Sequence, residues 1–416
     1  MILIKNAVIV DADSSLHLKK RDILIKNGKI QKIQSKIEEP KAKLIEHQNL
    51  HVSIGWLDSS VSFGEPGFEE RQTLENGLKA AAAGGFTGIM LNPNNQPNPQ
   101  DQSGIHYLLQ ATAGNVVNVF PVGNLSLQQE GEHLAELYDM KKAGAVSFYD
   151  YKKSVQNANL LKVGLQYASA FNAVIQSFPQ DRNIAGKGMI NEDENSIHLG
   201  IKSMPGLAEE IQIARDIRLA QYAGGRLHIP TVSTVEGLKL IKSAKDSGST
   251  VTSSVSIHHL TLTSAVLTDF DTRFKLNPPL RDSNEQKALR KYLNTNAVDL
   301  VTSDHTPLTI EQKAVEFDHA AAGTVGLESC FGALNHIVST ERAIALLTNA
   351  YQVFGISRPK IKEDTLANLT LFDPIHEYEF GEEHIISTSK NSAFLGRPMK
   401  GKILGVVNNK KSTFYV

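Results

Sequence analysis

From about residue 53 to residue 364, short apolar runs recur along the chain, each separated from the next by a stretch with helical spacing. The runs are GWLDSSV, GFTGIML, VVNVFPVG, AGAVSFY, NAVIQSF, GRLHIPTVS, STVTSSVSIHH and AVDLVTSDH. Between two of them, SMPGLAEEIQIARDIRLAQYAG repeats apolar residues at helical spacing and carries a proline at its start, where a helix tolerates one. Apolar strand and amphipathic helix alternating over roughly 300 residues predict a (β/α)8 TIM barrel. A doubly wound sheet is the competing arrangement, but it usually opens a helix with a glycine-rich phosphate loop. No GxGxxG and no Walker pattern opens a helix here.

The two ends have a different texture. MILIKNAVIV, RDILIKNGKIQKIQS and KLIEHQNLHVS read as short strands, with Asn27-Gly28 as a hairpin turn. At the other end LTLFDP, EYEF and GKILGVVNNKKSTFYV are also strand-like. Neither segment is long enough for a stable sheet of its own. The two are therefore expected to pair into one small β-sandwich domain, 1–52 plus 365–416, beside a barrel of residues 53–364.

Composition narrows the function by exclusion. A net charge of -1 and scattered Lys and Arg offer no field for nucleic acid or an anionic membrane. No apolar run approaches the ~20 residues of a membrane helix, and the N-terminus lacks a signal-peptide pattern, so a cytoplasmic protein is expected. Cys330 is the single cysteine, which excludes an intrachain disulfide and a multi-cysteine zinc site. It reads as a core residue.

In a barrel of this kind the chemistry sits at the C-terminal ends of the strands. The first such end is Asp58-Ser-Ser60-Val-Ser62-Phe-Gly64-Glu-Pro-Gly67. Pro93-Asn94 follows the second strand, and Ser147-Phe-Tyr-Asp150-Tyr151 marks another strand end. Further on come Phe178, His228-Ile-Pro-Thr231, His258-His259, Asn277-Pro-Pro-Leu-Arg281, Ser303-Asp304-His305-Thr-Pro-Leu308, Gly323-Thr-Val-Gly-Leu-Glu328 and Phe394-Leu-Gly-Arg-Pro. This succession resembles the dihydroorotases of the amidohydrolase superfamily over essentially the whole chain. The resemblance implies two metal-binding histidines at Ser60 and Ser62, a substrate-binding arginine at Gly64, and metal-site groups at Tyr151, Phe178 and Thr231. It also implies a substrate-holding histidine at Leu308. Asp304 stands where the family has its metal ligand and general base, Asp150 keeps the first of a carboxylate pair, and Asn94 and Asn277 fall on substrate-binding positions.

The family uses zinc, which takes three or four nitrogen, sulfur or oxygen ligands and makes hydroxide at neutral pH. With serines, aromatics and threonine at those positions, Asp304 alone is not expected to hold a metal, and no cofactor is expected. Phe178 and Tyr151 have the volume to fill the vacated space. Asp58 reads more simply as a turn cap, His258 and His259 as buried hydrogen-bonded histidines, and Arg281 as a rim salt bridge. The resemblance implies a non-catalytic dihydroorotase homologue acting as a structural or regulatory partner of aspartate carbamoyltransferase, with a homodimer as the expected assembly. Two other readings stay open: a working cyclic-amide hydrolase with an atypical or metal-free site, and a small-molecule sensor using Asn94, Asn277 and Arg281.

Overall fold

The computed structural model describes residues 1–415. Eight parallel strands follow one another around a barrel: Trp56–Val61, Phe86–Leu91, Asn118–Gly123, Ser147–Phe148, Val174–Gln176, Arg226–Ile229, Val251–Ser256 and Leu300–Thr302. Each pairs with its sequence neighbour, and a parallel bridge from Val61 to His305 joins the last strand end to the first. The alternation read in the sequence is thus a (β/α)8 barrel. Its helices are mostly short and begin at side chains that cap free backbone N–H groups: Thr73, Asp101, Asn157, Thr234 and Asp282. The longest, Leu207–Ala223, starts two residues after Pro205 and stops at Gly224, whose left-handed φ of 68° ends the helix.

The termini build a second eight-stranded sheet. Its strands are Ile2–Ile9, Lys20–Lys26, Lys29–Gln34, Lys43–Ile45, His51–Ile54, Asn368–Glu379, Pro398–Asn408 and Lys411–Phe414. The N- and C-terminal parts join where His51–Ile54 pairs antiparallel with Asn368–Glu379. Ile4, Ile23, Val52, Leu369 and Val407 fill its core. Trp56 sits at the junction with the barrel, packed against Phe86, Phe331 and Phe372 and donating its indole N–H to Ser53.

Two apolar layers hold the barrel. One lies between strands and helices. The other fills the barrel itself: Leu57, Met90, Val122, Tyr149, Phe178 and Leu300, with Phe120 and Tyr151 packed against them. After the fifth strand, residues 182–206 leave the barrel as two short helices and a two-stranded ribbon, Ile190–Asn191 with Ser203–Met204. Among the described residues no helix is long and apolar enough to cross a membrane.

Candidate functional site

The strand ends gather a continuous polar network rather than a set of free ligands. Asp304 lies two residues past the eighth strand and is 4 % exposed. One of its carboxylate oxygens accepts from the Lys152 ammonium at 2.8 Å, and the other takes a longer contact from Ser60 Oγ at 3.4 Å. Asn92, at the end of the second strand, donates its side-chain N–H groups to Ser60 Oγ at 3.1 Å and Ser62 Oγ at 3.2 Å. Both serines are buried.

Lys152 is the residue that the sequence reading missed. Burial disfavours its charge, but the adjacent Asp304 carboxylate outweighs that and holds the ammonium above its ordinary range. Burial pushes the Asp304 carboxyl up, and Lys152 opposes that rise. The pair is reached through uncommon backbone. Lys152 has φ 52°, Asp304 φ 46° and Thr231 φ 51°, left-handed values that non-glycine residues adopt at some cost. Strained strand ends of this kind usually aim functional side chains; here two of the three aim a cation and an anion at each other.

Aromatic groups occupy the space behind this pair. The Tyr151 hydroxyl lies 3.1 Å from Thr306 Oγ1, and its ring meets Tyr149 edge-on with centroids 5.7 Å apart. Phe178 is 1 % exposed inside the barrel layer. Thr231 is buried, and its backbone N–H donates to Ser254 Oγ at 3.1 Å while its own hydroxyl has no partner. The side-chain oxygens of Asn94 and Asn277 are also unpartnered.

Asp58 caps the turn at its own strand end and reaches across the barrel seam. It accepts from the Ser60 N–H at 3.0 Å, the Ser303 N–H at 2.9 Å and the Thr302 hydroxyl. Asp150 points away from the site. It accepts from the Leu125 and Ser126 N–H groups at 3.0 and 2.9 Å and from the Ser126 hydroxyl, so it pins the loop after the third strand. Arg281 is buried and donates to Ser233 Oγ at 3.0 Å, Asn191 Oδ1 at 2.7 Å and Glu209 at 3.5 Å. It ties the 182–206 excursion to the barrel.

The four buried histidines near the strand ends, His228, His258, His259 and His305, are neutral framework. Burial lowers His228, His259 and His305 to about 3. His305 donates from Nε2 to Gln72 Oε1 at 2.9 Å while Nδ1 accepts from Gly326 N–H at 3.1 Å. His259 donates from Nε2 to the Pro278 carbonyl at 3.1 Å, and its Nδ1 accepts from Ser256 Oγ at 2.8 Å. His258 departs from the hydrogen-bonded expectation: neither ring nitrogen has a partner, and the ring stacks on Phe394 at 5.1 Å. Burial accordingly drives its pKa well below the usual value.

Gly64 is closed to any larger residue. A Cβ built there would stand 1.7 Å from the Phe68 carbonyl oxygen, because the Gly64 carbonyl and the Phe68 N–H close this turn at 3.0 Å. Leu308 lines a cleft of 990 Å3 together with Glu70, Arg273 and Lys313, and none of the residues at the expected metal positions reaches it. Cys330 is buried and its thiol is pushed far up by burial, which leaves it unreactive.

The donor set does not fit a zinc ion. Its one carboxylate already faces an ammonium, its other oxygens are neutral hydroxyls, and among the described residues no three His, Cys, Asp or Glu side chains cluster as ligands. The arrangement balances a buried carboxylate against an ammonium and links the pair to neutral hydroxyls. One signal could have found Lys152: a buried Asp304 needs a cation, and a lysine directly follows Tyr151.

Comparison with known proteins follows the same lines. A profile described as dihydro-orotase-like matches residues 51–237. A dihydroorotase of Caldicellulosiruptor saccharolyticus is 38% identical over 423 residues, covering 99% of this chain and 98% of its own. One from Pelotomaculum thermopropionicum is 36% identical over 407 residues, covering 96% and 95%. Among solved structures, the L-hydantoinase (dihydropyrimidinase) from Arthrobacter aurescens superposes with a TM-score of 0.87 over 100% of this chain and 97% of its own. At 22% identity that likeness speaks for the fold. With barrel, terminal sheet and near full-length sequence similarity all in agreement, the chain belongs to the dihydroorotase family of the amidohydrolase superfamily.

Proposed function

We propose that this chain is a non-catalytic member of its family, placed in pyrimidine biosynthesis as a structural or regulatory partner of aspartate carbamoyltransferase. The observation that carries the reading is the Lys152–Asp304 ion pair. The aspartate that would serve as metal ligand and base is occupied by a fixed ammonium 2.8 Å away. Hydrolysis of a cyclic amide needs an activated water and a polarised carbonyl. Lys152 takes one oxygen of Asp304 and Ser60 contacts the other, and the neighbouring hydroxyls polarise a carbonyl only weakly. The closed Gly64 turn leaves no room for a carboxylate-binding arginine. What the sequence retains of its family is therefore frame, and a frame serves through its outer surface, in a homodimer or with another enzyme.

The sensor reading draws support from the unpartnered oxygens of Asn94 and Asn277, but Arg281, its third element, is fully engaged with Ser233, Asn191 and Glu209. The deciding experiment is a dihydroorotate turnover assay with metal analysis on the purified chain, followed by carbamoyltransferase assays with and without it. Turnover within about tenfold of an active relative, lost on Asp304→Asn, would overturn the proposal. So would a carbamoyltransferase that neither binds this chain nor responds to it.

A further inference from the structure

The chain is nearly neutral as a whole, but its charge is unevenly divided. Residues 1–54 hold ten Lys and Arg against six Asp and Glu, and residues 365–416 hold six against five. The terminal sheet is thus formally +5, and with the whole chain at -1 the barrel carries -6. Part of the excess is concentrated where two hairpin turns meet. The Asn27-Gly28 turn joins Lys20–Lys26 to Lys29–Gln34, and the Asn409-Lys410 turn joins Pro398–Asn408 to Lys411–Phe414. Ala367 bridges them, donating its N–H to the Gly28 carbonyl at 2.8 Å and accepting from the Asn409 N–H at 2.6 Å. Gly28, at φ 81°, lies so close that a Cβ there would come within 3.0 Å of Lys410 Cγ.

Lys26, Lys29, Lys410 and Lys411 therefore flank one spot, and all four are exposed. None has a carboxylate within 4.0 Å among the described residues; within the terminal sheet Lys5 and Lys36 do, while others such as Lys32 and Lys402 share the unpaired state, so it is their clustering that sets these four apart. Lys26 and Lys29 are a directly opposed cross-strand pair, and like charges in that position destabilise a hairpin. A local rule broken without an internal compensation points outward, to a function. Lys29 and Lys411 open the two edge strands of the sheet, where lysines commonly guard against sheet-to-sheet association. Lys26, on an inner strand, and Lys410, in the turn, have no edge to guard.

We propose that the paired turns form a docking face for an acidic patch on a protein partner. The inference rests on the scaffold reading and gives that partner its chemistry. The patch contains no arginine, the residue best suited to phosphate forks, and it adjoins a barrel of opposite sign that would repel an extended polyanion. A compact acidic protein surface meets neither obstacle.

The test titrates the full-length chain with purified aspartate carbamoyltransferase from the same organism, at about 50 and about 300 mM salt. Binding should weaken at least about tenfold between the two salts and at least about tenfold on replacing the four lysines by Gln. The Glu replacements Lys26→Glu, Lys29→Glu, Lys410→Glu and Lys411→Glu together should weaken it further. Lys287→Glu with Lys291→Glu, on an exposed barrel helix, should change little. If the fourfold Glu variant melts as the wild type does and binds as well, the docking face is wrong and the scaffold reading stands. If the wild-type chain does not bind the carbamoyltransferase at all, both fall. Binding of single-stranded RNA by the wild type, lost in the Glu variant, would replace the protein partner by a nucleic acid.

Discussion

Replacing Lys152 by Met removes the ammonium while keeping most of the side-chain volume and the same left-handed backbone, so backbone strain does not change. Asp304 is then left 4 % exposed with only Ser60 Oγ, at 3.4 Å, for its charge. Breaking a buried pair by deleting one partner costs about 3–5 kcal/mol, because the surviving charge stays desolvated. Unfolding entropy of roughly 2 cal/mol/K per residue means about 1 °C of melting temperature per kcal/mol in a chain this long. Lys152→Met should therefore lower Tm by about 3–6 °C near neutral pH. The loss should also depend on pH. Burial already raises the Asp304 carboxyl with the ammonium present, and removing Lys152 removes the largest opposing influence. A folded-state pKa raised above the unfolded value contributes stability at low pH that is lost as pH rises through it. The deficit of Lys152→Met against wild type should then be small below the folded-state pKa of Asp304 in the wild type, which burial already raises above the ordinary carboxylate value, and grow by up to about 1.4 kcal/mol per pH unit above it. Adding Asp304→Asn should restore most of the loss, since asparagine tolerates the φ of 46° and carries no charge. The assay is thermal and urea unfolding of wild type, both singles and the double between pH 4 and 8. A cost under about 1 kcal/mol, flat across that range and additive in the double, would refute the idea that Lys152 is the internal cation of the site.

Three further outcomes are expected. Gly64→Ala should destabilise by at least about 1–3 kcal/mol, because its Cβ meets a backbone carbonyl at 1.7 Å that no side-chain rotation relieves; urea unfolding measures it. Ser60→His with Ser62→His should bind no stoichiometric zinc and restore no turnover, since Lys152 still neutralises Asp304 and Phe178 still fills the interior; elemental analysis after dialysis checks this. The buried imidazoles should stay neutral in acid: His228, His259 and His305 are held near 3, below their unfolded value, so their contribution to stability is present above pH ~6.5 and declines as pH falls toward 3, by about 1.4 kcal/mol per unit for each. Buried carboxyls raised by burial, Asp58, Asp304 and Glu328 among them, act in the opposite sense, so the check is NMR titration of the three imidazoles; any of them charging in the folded chain near its ordinary value would contradict that.

The barrel was legible because its strands are short, apolar and separated by helical stretches, a rhythm that few architectures share. The terminal sheet was legible by need, since neither end could complete a sheet alone. At the site, residue type told more than direction. Asp150 follows a strand and looks like a ligand, yet the chain turns after Phe148 so that its carboxylate faces Leu125 and Ser126. Gly64 could be read as a lost contact but not as a closed turn, which depends on where Phe68 returns. Lys152 looked like one more surface lysine, because spacing does not reveal that its backbone takes a φ of 52° and folds the ammonium inward. Asn92 and Gln72 escaped notice for a related reason: amides show their purpose only when their hydrogen-bond partners are known.

Asp58 has a consequence for how this chain is made. Its contacts with Thr302 and Ser303 span 244 and 245 residues of sequence, and they fasten the last strand end to the first. During synthesis the first strand emerges early and waits for most of the barrel to follow before its carboxylate finds those partners. Until then a bare acid and an unpaired strand edge stand open to water and to neighbouring chains, a state that favours slow maturation and association. A nascent chain halted before residue 300 should therefore resemble an open, adhesive sheet rather than a smaller barrel, and a chaperone would find its longest-lived target in that interval.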